Sequence, residues 1–271
     1  MPTPTSVCSS CGAQPSGRLA GGLCPACLLR LAMLPPEEGA DAAIDDDGVG
    51  PYQLVAVLDG DASRTVYLAE RQASPRFLAV EVVRAAAAAT TTAGTFRARV
   101  GELLRLAHPG IARVLGGSVT PDGAYCVVSE YVPGAAIDRY CSSRRPEMTE
   151  RLGLVLSACR ALEHAHGLKV LHGRLGANSI VVSRASGQTQ AVVTGFGVFA
   201  APVAGGDADV VALGDLLDRL ISEDRGPAAD RLRRVARAAR TADGVTAVSD
   251  LIAAISNELA APGAQTPEPR A

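Results

Sequence analysis

Beyond residue 50 the chain alternates short apolar, β-branched runs with longer stretches whose apolar positions recur at three and four. The runs Tyr52–Leu58, Thr65–Ala69 and Phe77–Val83 predict three strands. Val100, Leu103, Leu104 and Ala107 give helical spacing over Phe96–Leu106. Ala112–Val119 and Tyr125–Ser129 predict two further strands, joined by a turn through TPDG. From Thr149 the pattern turns helical, with Leu152, Val155, Leu156, Cys159, Leu162 and Ala165 on one stripe. Short strands are expected at Ser179–Val182 and Ala191–Thr194, then helices at Asp209–Ile221, Ala228–Arg240 and Val245–Leu259. A five-strand sheet with one helix, followed mostly by helices, is an α+β arrangement. No internal repeat is apparent.

The first fifty residues differ. Cys8, Cys11, Cys24 and Cys27 form a CxxC…CxxC array with twelve residues between the pairs. Two residues between cysteines let both sulfurs turn toward one ion, and two such turns complete a tetrahedral zinc site. Gly12, directly after Cys11, suits the turn. A disulfide pair or a redox CxxC is the alternative, but no secretory context or βαβ pattern accompanies them. Residues 1–33 are therefore expected to be a small ribbon folded by structural zinc, since four thiolates leave no open position. The acidic, Pro/Gly-containing stretch 34–50 is read as a linker, 51–260 as the main domain and 261–271 as a disordered tail. Cys126, Cys141 and Cys159 lie in apolar stretches and are expected to be small buried hydrophobes.

Composition changes the picture in three ways. The apolar fraction is 48% and the charge is 26 − 28 = −2, which argues against holding nucleic acid or an anionic membrane by bulk electrostatics. No apolar run is long enough to span a bilayer, and the opening MPTPTSVCSSCG lacks a secretory pattern, so a cytoplasmic location with no membrane partner is expected. Lys169 is the only lysine, which removes any chemistry that needs one elsewhere.

The segments HPGIARVLGG (108–117), YCVVSEYVPG (125–134), ALEHAHGLKVLH (161–172) and ADVVALGDLL (208–217) resemble, in order and separation, the bacterial eukaryotic-type (Hanks-type) Ser/Thr protein kinases. Some members carry an N-terminal CxxCG…GLCPxCLL ribbon. The resemblance implies a two-lobed kinase-like fold behind a zinc ribbon. It also implies a set of positions that, in the family, bind ATP and magnesium and transfer phosphate.

Those positions are altered. The glycine-rich loop corresponds to LDGDASRTVY (58–67), where the family's three glycines match Asp59, Asp61 and Arg64. The strand-three lysine is Glu81, and its helix glutamate is Arg99. A carboxylate about 4 Å from a phosphate oxygen is repelled by roughly 4 kcal/mol at an effective dielectric near 20. Glu81 and Arg99 are expected to keep an ion pair with exchanged signs, the alternative being two unrelated solvated charges. The catalytic loop reads HGRLGANS (172–179): Arg174 replaces the base aspartate, Gly176 the lysine and Ser179 the metal-binding asparagine. Arginine cannot accept a hydroxyl proton. Gly195 replaces the magnesium-binding aspartate, and only eleven residues separate Gly197 from Asp209, which implies a shortened activation segment and a reduced C-lobe.

Packing positions keep family-like types. Val66, Ala79 and Val181 match the adenine-site residues; Leu103, His172 and Phe196 match the hydrophobic column, and Asp209 the buried aspartate that holds the catalytic-loop backbone. His164 and His166 diverge by about 200° on a helix and are not expected to share an ion. The resulting expectation is a catalytically inactive, kinase-shaped protein-binding or regulatory module with zinc but no ATP or magnesium, its partner unnamed. The alternatives are a weak or non-standard ATP-dependent kinase, with Arg64 and Arg174 as candidate cations, and a nucleic-acid-binding ribbon. The last is poorly supplied, because only Arg18 and Arg30 are basic there and no aromatic residue falls in the first fifty.

Overall fold

The computed structural model describes residues 52–61, 63–71, 74–84, 91–120, 123–184, 187–197, 207–241 and 247–261. The expected ribbon, linker and tail lie outside the described residues. The chain forms two compact units, one of residues up to Arg105 with Arg113–Pro133, the other of Leu106–Ala112 with Gly134 onward.

In the first unit the alternating runs become β1 (Tyr52–Gly60), β2 (Arg64–Arg71), β3 (Ser74–Val83), β4 (Val114–Val119) and β5 (Tyr125–Glu130). They make one antiparallel sheet ordered β1-β2-β3-β5-β4. Register aligns Asp59 with Val66, Val66 with Glu81, and Glu81 with Val127, so these four share a face. Helix α1 (Ala93–Leu103) covers that face through Phe96, whose ring lies 4.9 Å from Tyr125, and through Val100. Gly117 permits this closeness, because a Cβ there would sit 2.8 Å from Val100 Cγ2. The helix starts three residues before the expected Phe96 because Thr92 caps it: Thr92 Oγ1 accepts the Thr95 amide and Thr95 Oγ1 accepts the Thr92 amide. The opposite face carries the buried cluster Ala69, Leu78, Val80 and Val128, with Tyr52, Val82 and Leu115 against it.

The second unit is built on α3 (Met148–Gly167), which follows the short strand β6 (Ala135–Ala136) and helix α2 (Ile137–Arg144). Its stripe from Leu152 to Ala165 is buried as the periodicity predicts. Strands β7 (Ile180–Ser183) and β8 (Gln190–Val193) pair with each other, and β6 pairs with β7. Helices α4 (Asp207–Leu220), α5 (Pro227–Thr241) and α6 (Val248–Ala260) complete it. Arg151 of α3 grips the end of α4, donating to the Leu220 carbonyl and pairing with Asp224 at 2.7 Å. Ile111 forms a bridge with Val193 of β8, which places Leu106–Ala112 in this unit and delays β4 to Val114, two residues later than expected. α3 ends in a turn where Lys169 is exposed in left-handed backbone, φ 60°.

Helix α2 was not among the expected elements, although Ile137, Tyr140 and Cys141 are buried at helical spacing. Its eight residues are too short for a window-based signal. The three described cysteines are buried, and burial, followed by the nearby Glu163 charge, pushes the Cys159 thiol up to about 12.

Two helical glycines make a test. Gly153 on α3 has open space where a Cβ would go, whereas at Gly214 of α4 a Cβ would lie 2.8 Å from Ala239 Cβ and 2.9 Å from the Ala236 carbonyl. Gly153→Ala should raise stability by about 0.5–1 kcal/mol through helix propensity. Gly214→Ala should lower it by about 1–3 kcal/mol through overpacking of α4 on α5. Denaturant melts of the two variants read opposite shifts if the packing is as described.

Candidate functional site

In the first unit the turn between β1 and β2 closes on its own side chains. Asp61 Oδ1 accepts the amide protons of Ser63 at 2.7 Å and Arg64 at 3.1 Å, and the Ser63 hydroxyl at 2.5 Å. The Asp61 amide in turn donates to the Arg64 carbonyl at 2.9 Å. An Asp at this spacing forms an Asx-type turn, holding backbone amides that a phosphate could otherwise receive. The sequence signal for this capture, beyond the lost glycines, is the Asp-x-Ser-Arg spacing of residues 61–64.

Arg64 projects from the start of β2 into three carboxylates. Its Nη2 lies 2.7 Å from Asp59 Oδ2, its Nε 3.8 Å from Asp61 Oδ2, and its Nη1 3.7 Å from Glu81 Oε1. The Glu81 and Arg64 side chains retain only 11% and 18% of their surface, so this pairing is screened less than a surface one. Arg99, on α1, pairs with Glu102 at 2.9 Å. Val66 and Ala79 are half-buried on the same sheet face as Glu81.

In the second unit the segment 170–179 is organised by one buried carboxylate. Asp209, with 2% of its surface exposed, accepts the His172 amide at 2.8 Å through Oδ2 and the Gly173 amide at 3.0 Å through Oδ1. His166 Nε2 lies 2.9 Å from the same Oδ2. Burial pushes the Asp209 carboxyl upward, but the bonds from His166, His172 and Gly173 outweigh it and hold the group below its ordinary range. Gly173 sits at φ 73°, the left-handed backbone a glycine adopts without strain. The family-derived expectation for Asp209 is met. The contribution of His166 was missed, because two residues 43 positions apart carry no joint sequence signal.

His172 is fully buried. Its Nδ1 accepts the Arg174 amide at 3.3 Å, leaving Nε2 to donate to the Thr194 carbonyl at 2.9 Å, and its ring packs 4.7 Å from Phe196. Arg174 is exposed, and its carbonyl accepts the Ser179 hydroxyl at 3.4 Å. Gly176 caps the single turn Ala177–Ser179. Gly195 is exposed at φ 72° with nothing within 4 Å of where a side chain would start. Val181 is half-buried in β7.

Magnesium takes oxygen ligands from carboxylates or amide carbonyls. At the two positions that would supply them stand a glycine and a serine whose hydroxyl already donates to a carbonyl. The donor set does not fit the ion.

A sequence model of protein tyrosine and serine/threonine kinases matches residues 55–206, more than half of the chain. The chain belongs to that kinase family. The chain is 28% identical over 153 residues to the serine/threonine-protein kinase PrkC of Bacillus subtilis (strain 168). That stretch is 55% of the chain and 23% of PrkC, so the chain spans less than a quarter of this relative. In fold it is similar to the PknI kinase domain of Mycobacterium tuberculosis, at TM-score 0.60 and 23% identity, covering 80% of the chain and all of the domain. A second crystal structure of that domain gives 0.61 and 22%, covering 81% of the chain. The kinase-like α+β fold expected from sequence is thus the fold of the chain.

The Asp209 hub makes a pH prediction. Its folded pKa lies below the unfolded value near 4, so its stabilisation is complete above about pH 4 and is lost as pH falls through the folded value. Asp209→Ala strands two buried amides and should cost about 3 kcal/mol or more at pH 7. Denaturant melts at pH 7 and pH 3 should show the gap between wild type and variant narrowing in acid. A gap independent of pH would mean that the ionised carboxylate is not what holds the loop.

Proposed function

We propose that the chain is a pseudokinase: a catalytically inactive kinase-like module that acts as a protein-binding or regulatory scaffold, with residues 1–33 as a zinc ribbon. The observation that carries this reading is the Asp61 carboxylate seated on the Ser63 and Arg64 amides, with the neighbouring Arg64 guanidinium facing three acids. Triphosphate binding needs free amides and net positive charge. This turn has its Ser63 and Arg64 amides occupied, and three carboxylates lie within 4 Å of the Arg64 guanidinium.

The residues of the second unit support the same conclusion. Arg174 cannot act as a base, Gly195 offers no ligand, and Gly176 no cation. The short spacing from Gly197 to Asp209 leaves little chain for a peptide-substrate platform, which supports a shortened activation segment in a reduced C-lobe. In this reading the half-buried Val66, Ala79 and Val181 are retained for packing, and 34–50 and 261–271 are linker and tail. The partner is a protein, not nucleic acid or a membrane. No helix among the described residues is long and apolar enough to cross a bilayer. A cytoplasmic location belongs to the same proposal. The competing reading is a weak or non-standard ATP-dependent kinase, as the names of its relatives suggest.

Thermal unfolding with ATP, with and without magnesium, separates the two. A nucleotide at a hundred times its Kd stabilises by about 2.7 kcal/mol. For a domain of roughly 200 residues that is about 5–11 °C in Tm. The pseudokinase reading expects no shift; a saturable, magnesium-dependent rise overturns it.

The ribbon has its own test. Metal analysis of the purified chain should find about one zinc, bound by Cys8, Cys11, Cys24 and Cys27, and Cys24→Ser should release it. A folded chain without zinc overturns the four-thiolate site.

A further inference from the structure

Helix α5 carries five arginines and one aspartate in fifteen residues. Its buried stripe is Ala229, Leu232, Ala236 and Ala239. A Cβ on Gly214 of α4 would touch Ala239 and the Ala236 carbonyl, so that stripe lies against α4. At about 100° per residue, Arg234 stands about 200° and Arg237 about 140° from Leu232, on the side away from the stripe. Both are exposed.

The other three arginines already hold acids. Arg231 makes a two-point contact with Glu258 of α6, Nε to Oε1 at 2.5 Å and Nη2 to Oε2 at 2.8 Å. Arg240 reaches Asp215 at 2.5 Å and Asp218 at 2.8 Å, both on α4. Arg233 pairs with Asp230 at 2.9 Å and donates to the Ile221 carbonyl at 3.1 Å. Arg234 and Arg237 make neither an ion pair nor a side-chain hydrogen bond among the described residues. They lie one turn apart, and Arg233 and Arg240 are within four residues of Arg237. Like charges at three- and four-residue spacing repel, so an acid seated between Arg234 and Arg237 relieves that repulsion while it accepts charge-assisted hydrogen bonds from both.

We propose that this face of α5 binds a partner protein through an acidic segment that presents two carboxylates about 5–6 Å apart, the spacing of Asp or Glu one helical turn apart. The inference rests on the reading of the chain as a protein-binding scaffold and gives that partner its chemistry. Guanidinium forks match carboxylates in two-point geometry, as Arg231 on Glu258 shows on the same helix. Nucleic acid fits less well. No aromatic residue lies on α5 to stack a base. The neighbouring arginines also bring Asp215, Asp218, Asp230 and Glu258 to the edges of the patch, where a continuous phosphate backbone would meet them.

Fluorescence anisotropy of the full chain with two labelled peptides of about 15 residues tests it: an alanine-based peptide with Glu at i and i+4, and the same peptide with Gln at those positions. At ~0.1 M salt, where the Debye length is about 10 Å, the Glu peptide should bind at least about tenfold tighter than the Gln peptide. The double variant Arg234→Glu/Arg237→Glu should remove that difference. Arg144→Glu/Arg160→Glu, the same change in net charge on exposed arginines of α2 and α3, should keep it. Equal affinity for the two peptides overturns the proposal. So does an equal loss in both double variants, which would make the effect one of bulk charge. A labelled single-stranded DNA that binds tighter than the Glu peptide, and is lost in the α5 variant, overturns it in favour of nucleic acid. Peptide binding that tightens about tenfold in Asp45→Asn/Asp46→Asn/Asp47→Asn overturns it too, because the face would then belong to the chain's own acidic stretch. ATP-induced stabilisation, which would overturn the pseudokinase reading, leaves the peptide readout as it is, and absence of peptide binding leaves the ATP test as it is.

Discussion

A carboxylate withdrawn from water must be compensated or it will not stay ionised, and Asp209 is compensated by donors from two segments distant in sequence. Its two oxygens hold the amides of His172 and Gly173 and meet the imidazole of His166. One side chain on α4 thereby fixes the segment after α3, and through His172 it also reaches the Thr194 carbonyl and the ring of Phe196. The need for this hub is one of folding, because the amides it satisfies would otherwise lack partners. The buried carboxylate is therefore held in place by packing and hydrogen bonding, whatever chemistry the neighbouring positions support.

The first unit illustrates the complementary case. A loop adapted to phosphate presents backbone amides that a phosphate oxygen can accept from. Asp61 supplies the anion covalently, and Arg64 places a cation among the acids that the substitutions introduced. The turn is then complete without a ligand.

Much of the architecture was legible from spacing alone. All five strands of the sheet and the long helix α3 overlap the apolar, β-branched runs and the three-and-four spacing that predict them. What periodicity missed was set by tertiary or capping interactions. Thr92 moved the start of α1, and the Ile111–Val193 bridge moved the start of β4. The identity of the altered positions could be read residue by residue, since Glu81, Arg174 and Gly195 differ in chemical type from what the family requires. The partners those residues chose could not. Arg64 reaching Glu81 depends on the register between β2 and β3, and His166 reaching Asp209 depends on how α3 lies beside α4.

Lys169 stands alone as the chain's one lysine, exposed in the turn that ends α3. Any amide-forming acylation of a side chain, whether by a dye or by an enzyme that conjugates a small protein to lysine, is therefore confined to that single turn. The molecule carries a built-in address for covalent tagging, set by composition and displayed by the fold.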